Sequence, residues 1–243
     1  MLISYQTYLI KKTNLSGNVY LFEFFLVKPK EINFLAGQYL ILSIPFKDGN
    51  ISRLYSISSS PWQKNSFELV VELIKDGIGS DYLKSLKIND KVFFKGPAGV
   101  FTIRENKKRK VFFATGTGIA PIRSMIYKIL NSKDQIPEYL FWGLRKKEDV
   151  YFLEEFKKIA KEDKNFKFKI CLSKEENLDV VDNKFFSLGH VDYVFERDLY
   201  SKIKNSLNDF EFYLCGGRVV VESLIHFLQQ KSISLTNIFF EKF

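Results

Sequence analysis

The amino-acid sequence predicts a β + α/β fold, in which a small antiparallel β-barrel is followed by a domain built on a parallel sheet. From residue 5 to about residue 103, short alternating apolar runs are separated by turn residues, a pattern typical of strands and tight turns. After Lys110, apolar strands alternate with helix-length segments, which favours a parallel sheet covered by helices. The 243 residues can fill two cores, and we place the domains at residues 1–105 and 106–243.

Composition and charge limit the possible functions. The formal net charge is +9, but no zinc-finger spacing or RNA-binding aromatic pattern accompanies it, so we expect no nucleic-acid partner. The basic cluster at residues 107–110 precedes a predicted buried strand, and we interpret it as a solvated linker. His190 and His226 have no partners at metal-ligand spacing, so we expect no metal site.

The cysteine count and the apolar runs bear on the compartment. Cys171 and Cys215 are too few for a four-cysteine iron–sulfur cluster and give no disulfide framework, which favours a reducing, cytoplasmic location. The first residues lack a signal-peptide pattern, and no uncharged apolar run is long enough to span a bilayer. We therefore expect no membrane span.

Within the predicted barrel, residues 52–61 alternate a cation, an aromatic ring and hydroxyls. In an extended strand, Arg53 and Tyr55 point to one face, where they can serve a ligand that carries both a phosphate and a flat ring. The alternative is an edge strand with a surface arginine and a packed tyrosine. Residues 75–83 then supply glycines before Ser80, which we predict as the N-cap of a short helix through Leu86 and as part of an anion site. Ordinary helix capping is the alternative there.

The second half begins with a strand, a glycine turn and a helix. The run 111–114 predicts a buried strand, Gly116 and Gly118 permit a sharp turn, and Pro121 suits the first turn of the following helix. Such a turn attracts anions, although it can also simply cap a helix, and a third glycine is missing from the usual dinucleotide pattern. Further strands are predicted at 138–142, 166–171 and 211–215, and helices at 122–130, 152–161 and 219–230.

These segments together resemble the ferredoxin–NADP reductase superfamily of flavoproteins, in its short form with flavin and nicotinamide domains only. The family's R-x-Y-S flavin motif matches residues 53–56, its G-x-x-S-x-x-L pyrophosphate motif residues 77–83, and its G-T-G-I-A-P-x-x-S motif residues 116–124. Further matches lie at 37–39, 96–99, 142–145 and 214–217, and residues 239–243 are similar to the end of oxygenase reductases. The resemblance implies an oxidoreductase that passes a hydride from NAD(P)H to FAD and then electrons to a separate acceptor.

The resemblance also implies roles for residues of the flavin domain. Tyr55 would stack on the isoalloxazine, Arg53 would pair with the pyrophosphate, and Ser56 would hydrogen-bond near flavin N5 and act in catalysis. The other implied FAD contacts are Leu54, Val70, Gly77, Ile78, Gly79 and Ser80. Asp81 departs from the expected charge near a phosphate, and we expect it to face solvent at the helix start.

In the second domain, the resemblance implies that Gly116, Thr117 and Gly118 receive the dinucleotide, with Cys215 and Gly216 near the nicotinamide. Cys215 and Glu241 are implied catalytic residues, and Phe243 would cover the flavin. Buried packing is the alternative for Cys215, and completion of the last strand is the alternative for Glu241 and Phe243. Gly217 stands where relatives often have proline.

The electron donor and acceptor stay open at this point. Ser173, Lys174 and Arg145 suit the 2′-phosphate of NADPH, whereas Glu175 and Glu176 oppose it and the final motif points to NADH. The resemblance implies ferredoxin, flavodoxin or an oxygenase-type protein as acceptor, and the basic charge suits an acidic carrier. A monomer is favoured. The alternatives are a reductase of free flavin and a non-catalytic flavin-binding component of a larger complex.

Overall fold

The computed structural model describes residues 2–47, 49–131, 136–178 and 184–243. The chain divides into two compact units. The first, called the barrel unit, comprises Met1–Arg104 and Ala120–Asn131, and the second, called the sheet unit, comprises Glu105–Ile119 and Ser132–Phe243. The division of the sequence at residues 105 and 106 stays a prediction.

The barrel unit contains six strands that pair in an antiparallel manner. They are β1 (Ile3–Ser16), β2 (Val19–Lys28), β3 (Tyr39–Phe46), β4 (Gly49–Ser56), β5 (Ser66–Glu72) and β6 (Lys91–Ala98). Their order is β4-β3-β6-β1-β2-β5, and a bridge between Ile57 and Leu69 joins the two end strands. The predicted antiparallel barrel is therefore confirmed.

Alternating residues of the strands fill the barrel core. In β3, Leu40, Leu42 and Ile44 are at most 2% exposed, because successive side chains of a strand point to opposite faces. Phe94 makes edge contacts with Phe24 and Phe67 at ring-centroid distances of 4.9 and 5.0 Å. Edge-to-face packing is a favoured aromatic geometry, so these phenylalanines anchor the core.

The sheet unit is built on six parallel strands. They are β7 (Arg109–Thr115), β8 (Glu138–Leu144), β9 (Phe166–Leu172), β10 (Phe186–Leu188), β11 (Phe210–Gly216) and β12 (Ile238–Lys242), in the order β10-β9-β8-β7-β11-β12. The parallel sheet confirms the predicted fold class. The predicted strands all form, β12 is the last strand whose completion is the alternative role of Glu241, and β10 is a strand that the sequence pattern did not predict.

Helices of unequal length accompany the strands. They are α1 (Ile78–Ser85), α2 (Ile119–Leu130), α3 (Leu153–Glu162), α4 (Val191–Phe195), α5 (Ser201–Ile203) and α6 (Arg218–Gln230), with a π-helical segment at Glu196–Tyr200. The predicted helices correspond to α1, α2, α3 and α6. Among the described residues, no helix combines the length and the apolar character that crossing a bilayer requires.

Both faces of the parallel sheet are buried. Val111 and Phe113 of β7 belong to a core that includes Val194 of α4 and Leu224 of α6. On β8, the Trp142 ring contacts Phe156 of α3, with the ring centroids 6.0 Å apart. Burial on both faces explains why the strands are near-continuous apolar runs.

The interpretation of residues 107–110 as a solvated linker is wrong for Lys110. Lys110 is a residue of β7, 1% exposed, and its ammonium donates to Glu211 Oε2 and Asn106 Oδ1, both at 2.7 Å. Tyr213 donates to the same carboxylate at 2.8 Å. Burial acts to raise the pKa of Glu211, but the hydrogen bonds from Lys110, Asn106 and Tyr213 outweigh it and leave that pKa lowered. A buried ion pair thus joins β7 to β11.

Candidate cofactor-binding sites

The strand β4 presents the R-x-Y-S residues on two faces. Tyr55 and Arg53 pair with Leu40 and Leu42 of β3, so they lie on the same face of the sheet as these core residues. Leu54 lies on the opposite face and is 57% exposed, and Ser56 is half-buried at the end of the strand. Burial raises the pKa of the Tyr55 phenol, although the positive charge of Arg53 acts against this rise. Tyr55 is therefore a neutral phenol at neutral pH.

Gly79 brings α1 close to the Arg53 and Tyr55 side chains of β4. A Cβ atom at Gly79 would lie 2.5 Å from Tyr55 Oη and 3.2 Å from Arg53 Cγ, so a side chain there would displace Tyr55. This proximity agrees with the prediction that Arg53 and Tyr55 lie on one face of their strand. The Arg53 guanidinium is exposed and donates to the Ser52 carbonyl at 2.9 Å. A tyrosine ring, a cation and a helix start thus meet at Gly79.

The first turn of α1 differs from the prediction in one respect. The N-cap residue is Gly77, which has no side chain to accept from the first amides, and the helix ends at Ser85. Ser80 is therefore not the N-cap. It is buried within the helix, and its hydroxyl oxygen accepts from the Ile74 amide at 2.8 Å. Asp81 is exposed in the first turn, as expected, where its charge complements the helix dipole.

Lys12 of β1 holds the other end of α1, and sequence reasoning missed this residue. Its ammonium donates to the carbonyls of Leu83, Lys84 and Leu86, at 3.2, 2.6 and 3.3 Å. These carbonyls lie at the C-terminal end of the helix, where a cation also opposes the negative end of the dipole. Since about 70 residues separate Lys12 from α1, no local pattern in the sequence could have indicated this contact.

Replacing Lys12 with methionine is expected to weaken FAD binding by roughly fivefold, corresponding to the loss of about 1 kcal/mol of capping at α1. The helix end would lose its donors, and the first turn of α1 would be held less firmly. A fluorescence titration of the FAD-free protein with FAD measures this effect. Lys11→Met is the control, because Lys11 is a neighbour on the same strand and, in the part of the chain that the structure describes, no hydrogen bond or ion pair joins it to α1. Equal FAD affinity in both variants would contradict the capping role.

Val70 lies on β5 and is 6% exposed, so its side chain is part of the packed strand. Leu69, the preceding residue, forms the bridge with Ile57. Ser56 immediately precedes Ile57, on the other chain segment of this bridge. The structure therefore brings Ser56 and Val70 to the same junction of the barrel.

The sheet unit offers a second site at the carboxyl ends of its central strands. From β7 the chain adds β8, β9 and β10 on one side, and then returns to place β11 on the other side of β7. The connections therefore diverge between β7 and β11, and open α/β sheets bind ligands in the crevice at such a point. Residues 116–118 follow β7 in a 3₁₀ turn, and Cys215 and Gly216 end β11. The structure thus brings the predicted dinucleotide residues together.

Two glycines allow the chain segments at this point to approach closely. A Cβ atom at Gly118 would lie 2.2 Å from the Cys215 carbonyl oxygen, and one at Gly216 would lie 2.0 Å from Thr115 Oγ1. Either side chain would force the two strand ends apart. The glycines therefore shape a narrow cradle of backbone groups.

Two aromatic residues that sequence reasoning missed fix the turn. The Trp142 indole donates to the Gly116 carbonyl at 3.0 Å, and the Tyr151 hydroxyl donates to the same oxygen at 3.2 Å. Trp142 is the first residue of the W-G-L-R match, at the end of the neighbouring strand. The feature of the sequence that could have indicated the Trp142 contact is a tryptophan near the end of a predicted strand that neighbours the strand before the glycine turn.

Cys215 and Glu241 lie side by side, because they occupy paired positions of β11 and β12. Cys215 is 1% exposed and Glu241 is half-buried. Burial raises the pKa of the Cys215 thiol well above its ordinary value, and the Glu241 carboxylate raises it further. Cys215 is therefore a neutral thiol, which excludes a thiolate nucleophile at this position.

The last residue is tied to the same loop. The Phe243 amide donates to the Gly216 carbonyl at 3.2 Å, and the Phe243 carbonyl accepts from the Arg218 amide at 3.0 Å. The Phe243 side chain itself is 63% exposed. Gly217 has φ of −60°, the value that a proline would have, so a proline could stand at this position without a change in φ.

The carboxyl ends of β8 and β9 bring the donor-selecting candidates together. The Lys174 amide donates to the Arg145 carbonyl at 2.9 Å, and the Ser173 amide donates to the Leu144 carbonyl at 3.0 Å. Arg145 and Lys174 are both solvent-accessible, whereas the Glu175 carboxylate accepts from the Lys147 amide at 2.9 Å. Two cations and one fixed carboxylate therefore share this edge.

Each set of residues fits the cofactor that the sequence implies. In the barrel unit, an uncapped helix start lies beside a cation and a tyrosine, as a flavin nucleotide requires. In the sheet unit, Gly118 and Gly216 let the ends of β7 and β11 approach closely at the switch point, where open α/β sheets bind ligands.

Comparison with known families agrees with this assignment. Residues 6–103 match the oxidoreductase FAD-binding domain family, and residues 112–225 match the oxidoreductase NAD-binding domain family. The toluate 1,2-dioxygenase electron transfer component of Pseudomonas putida is 28% identical over 215 residues, which cover 88% of this chain and 60% of that protein. One component of the Na(+)-translocating NADH-quinone reductase of Neisseria meningitidis is 33% identical over 214 residues. That match covers 81% of this chain and 50% of the component.

The chain thus spans about half to three fifths of the length of these curated relatives. Among solved structures, an Amycolatopsis cytochrome P450 reductase superposes with a TM-score of 0.87 at 25% identity, covering 100% of this chain and 70% of that one. The ferredoxin NADP+ reductase of Neisseria gonorrhoeae, with bound FAD and NADP, gives 0.82 at 18% identity, covering 99% and 98%. With an FAD-binding barrel followed by an NAD-binding parallel sheet, the chain belongs to the oxidoreductases that combine these two domains, and its fold is that of ferredoxin–NADP(+) reductases.

Proposed function

We propose that this protein is an FAD-dependent NAD(P)H oxidoreductase that delivers electrons to a separate acceptor protein of the ferredoxin or flavodoxin class. The observation that supports the proposal most directly is the close approach at Gly79, where the start of α1 lies beside Arg53 and Tyr55. The second cradle, at residues 115–118 and 215–216, supports a nicotinamide donor. A chain with only two cysteines, both of them free, cannot supply a four-cysteine cluster of its own.

The barrel unit would bind FAD. Tyr55 would stack on the flavin ring, Arg53 and the amides of Gly77, Ile78, Gly79 and Ser80 would hold the pyrophosphate, and Leu54 and Val70 would add contacts. Ser56 would donate a hydrogen bond to the ring. When bound, FAD accepts a hydride from a reduced nicotinamide and can release the electrons singly.

The sheet unit would bind the nicotinamide dinucleotide at residues 116–118, with Gly216 allowing close approach of the backbone. The neutral thiol of Cys215 would pack against the nicotinamide, and the Glu241 carboxylate beside it would help to position the ring. The backbone of Phe243 is held by Gly216 and Arg218 at the same loop. Arg145, Ser173 and Lys174 would contact the adenosine end of the donor, with NADH and NADPH both compatible.

The acceptor is proposed from charge. The formal net charge of +9 suits an acidic redox partner of an oxygenase, a ferredoxin or a flavodoxin, and long-range attraction between opposite charges accelerates such encounters. Two buried free cysteines agree with a cytoplasmic, reducing location. We propose that the protein acts there as a monomer.

Raising the salt concentration is expected to slow electron delivery to an acidic protein. With saturating NAD(P)H and a plant-type ferredoxin as probe, kcat/KM for ferredoxin should fall by roughly tenfold between about 0.05 and 0.3 M NaCl, because salt screens the attraction. Reduction of menadione, which is uncharged, is the control and should change little. A ferredoxin rate that is indifferent to salt would contradict the proposed partner class, and no reduction of either acceptor would contradict the oxidoreductase itself.

A further inference from the structure

The two end strands of the barrel meet at a short junction that both predicted flavin-contacting segments share. Its backbone contacts are the bridge between Ile57 and Leu69 and the hydrogen bond from the Ser58 amide to the Glu68 carbonyl, 2.8 Å long. Ser56 precedes this junction on one side, and Val70 follows it on the other. The junction therefore sets the spacing between two proposed flavin contacts.

The guanidinium of Arg123 spans the junction. Arg123 lies on α2, in the part of the helix that belongs to the barrel unit, and is 6% exposed. Its Nη1 atom donates to Glu68 Oε2 at 2.6 Å, to the Ser58 carbonyl at 3.2 Å and to Ser58 Oγ at 3.3 Å. One side chain thus contacts both strand segments at the point where they meet.

Neighbouring groups hold Arg123 and Glu68 in place. Arg123 Nη2 donates to the Tyr127 hydroxyl at 3.2 Å, and Ser59 Oγ accepts from the Glu68 amide at 3.1 Å. Because a guanidinium is a planar fork with several fixed donors, it can contact two partners at once, which a lysine ammonium on a flexible stem does less well. Here Nη1 serves Glu68 and Ser58 while Nη2 serves Tyr127, a division of contacts that a single lysine ammonium does not reproduce.

We propose that Arg123 is a positioning residue for the flavin, which it serves by fixing Ser56 and Val70 across the barrel junction; this inference rests on the proposed function. Without Arg123, the Glu68 carboxylate would be left partly buried beside a short ladder of backbone contacts. The junction would open, and Ser56 would move relative to Val70. FAD binding would weaken, and the asymmetric surroundings of the flavin ring would change.

The test uses the full chain and the variants Arg123→Gln, Arg123→Lys and Glu68→Gln. Two quantities are measured, the dissociation constant of FAD by fluorescence titration and the visible circular dichroism of the bound flavin. Arg123→Gln is expected to raise the dissociation constant by about tenfold or more and to alter the dichroism, and Arg123→Lys should restore part of both. Lys128→Met is the control. It also removes a cation from α2, where the ammonium lies 5.0 Å from the centroid of the Trp62 ring, but it leaves Arg123, Glu68 and Ser58 unchanged.

A folded Arg123→Gln protein with the affinity and the dichroism of the wild type would overturn the inference. If Arg123→Gln does not fold, unchanged values in both Arg123→Lys and Glu68→Gln would overturn it, and parallel changes in both would support it. A wild-type protein that binds no FAD would overturn the proposed function itself, and the positioning role with it. If the wild type binds FAD and the variants have its dissociation constant and its dichroism, the positioning role alone would be overturned.

Discussion

Replacing Gly79 with alanine is expected to weaken FAD binding by at least about tenfold. The new methyl group would lie 2.5 Å from Tyr55 Oη, so the tyrosine that we propose to stack on the flavin would have to move. Alanine is the better helix former by about 1 kcal/mol, which offsets part of the cost of moving Tyr55 in the FAD-free protein. Fluorescence titration with FAD, together with thermal unfolding of the FAD-free protein, separates the two effects.

Gly49→Ala is the matched control for this variant. Gly49 lies on the same strand as Tyr55, and among the described residues beyond its chain neighbours a Cβ atom there would meet none within 4 Å. Its FAD affinity should therefore match that of the wild type. A Gly79→Ala protein that retained full affinity would show that FAD does not depend on the position of Tyr55.

Replacing Lys110 with methionine is expected to lower the free energy of unfolding by about 3–5 kcal/mol. The change would leave the Glu211 carboxylate buried without its ammonium partner, 2.7 Å away in the wild type. Because hydrogen bonding holds the pKa of Glu211 below its ordinary value, the wild-type contribution is present above pH ~4.3 and is lost as the pH falls through the lowered pKa. Denaturant unfolding of the full chain near neutral pH measures the change in the free energy of unfolding.

Two further variants make this result specific. Lys107→Met removes an exposed lysine from the same basic cluster and should change stability by less than about 0.5 kcal/mol. Adding Glu211→Leu to Lys110→Met should recover much of the loss, because no unpaired charge would then be buried. Equal stability of the Lys110→Met and Lys107→Met proteins would restore the interpretation of Lys110 as a solvated residue.

Much of the fold could be predicted because its signals are local. Alternation along strands such as β3 indicates a half-buried sheet, and the apolar run of β7 before a glycine turn indicates a buried parallel strand. The R-x-Y-S spacing predicts one face for Arg53 and Tyr55, and the structure places both against Gly79. In each case the information lies within a few residues of the chain.

The features that were missed depend on distant partners. Lys110 resembles its solvated neighbours until Glu211, 101 residues later, is brought beside it. Lys12 acquires its capping role only when β1 and α1 pack together. Ser80 has the residue type of an N-cap, but its hydroxyl binds Ile74 instead because the helix begins two residues earlier. The strand β10 is only three residues long, too short for a periodic signal.

The central claim is that this chain binds FAD and reduces it with a nicotinamide, and the visible spectrum tests it most directly. The protein is loaded with FAD, freed of unbound cofactor and mixed without oxygen with NADH and with NADPH separately. We predict a bound-flavin spectrum that bleaches, and the nucleotide that bleaches it faster is the donor. A flavin spectrum that neither nucleotide bleaches would contradict the proposed reaction, and a colourless protein that retains no added FAD would contradict the assignment of Arg53, Tyr55 and Ser56 as a flavin site.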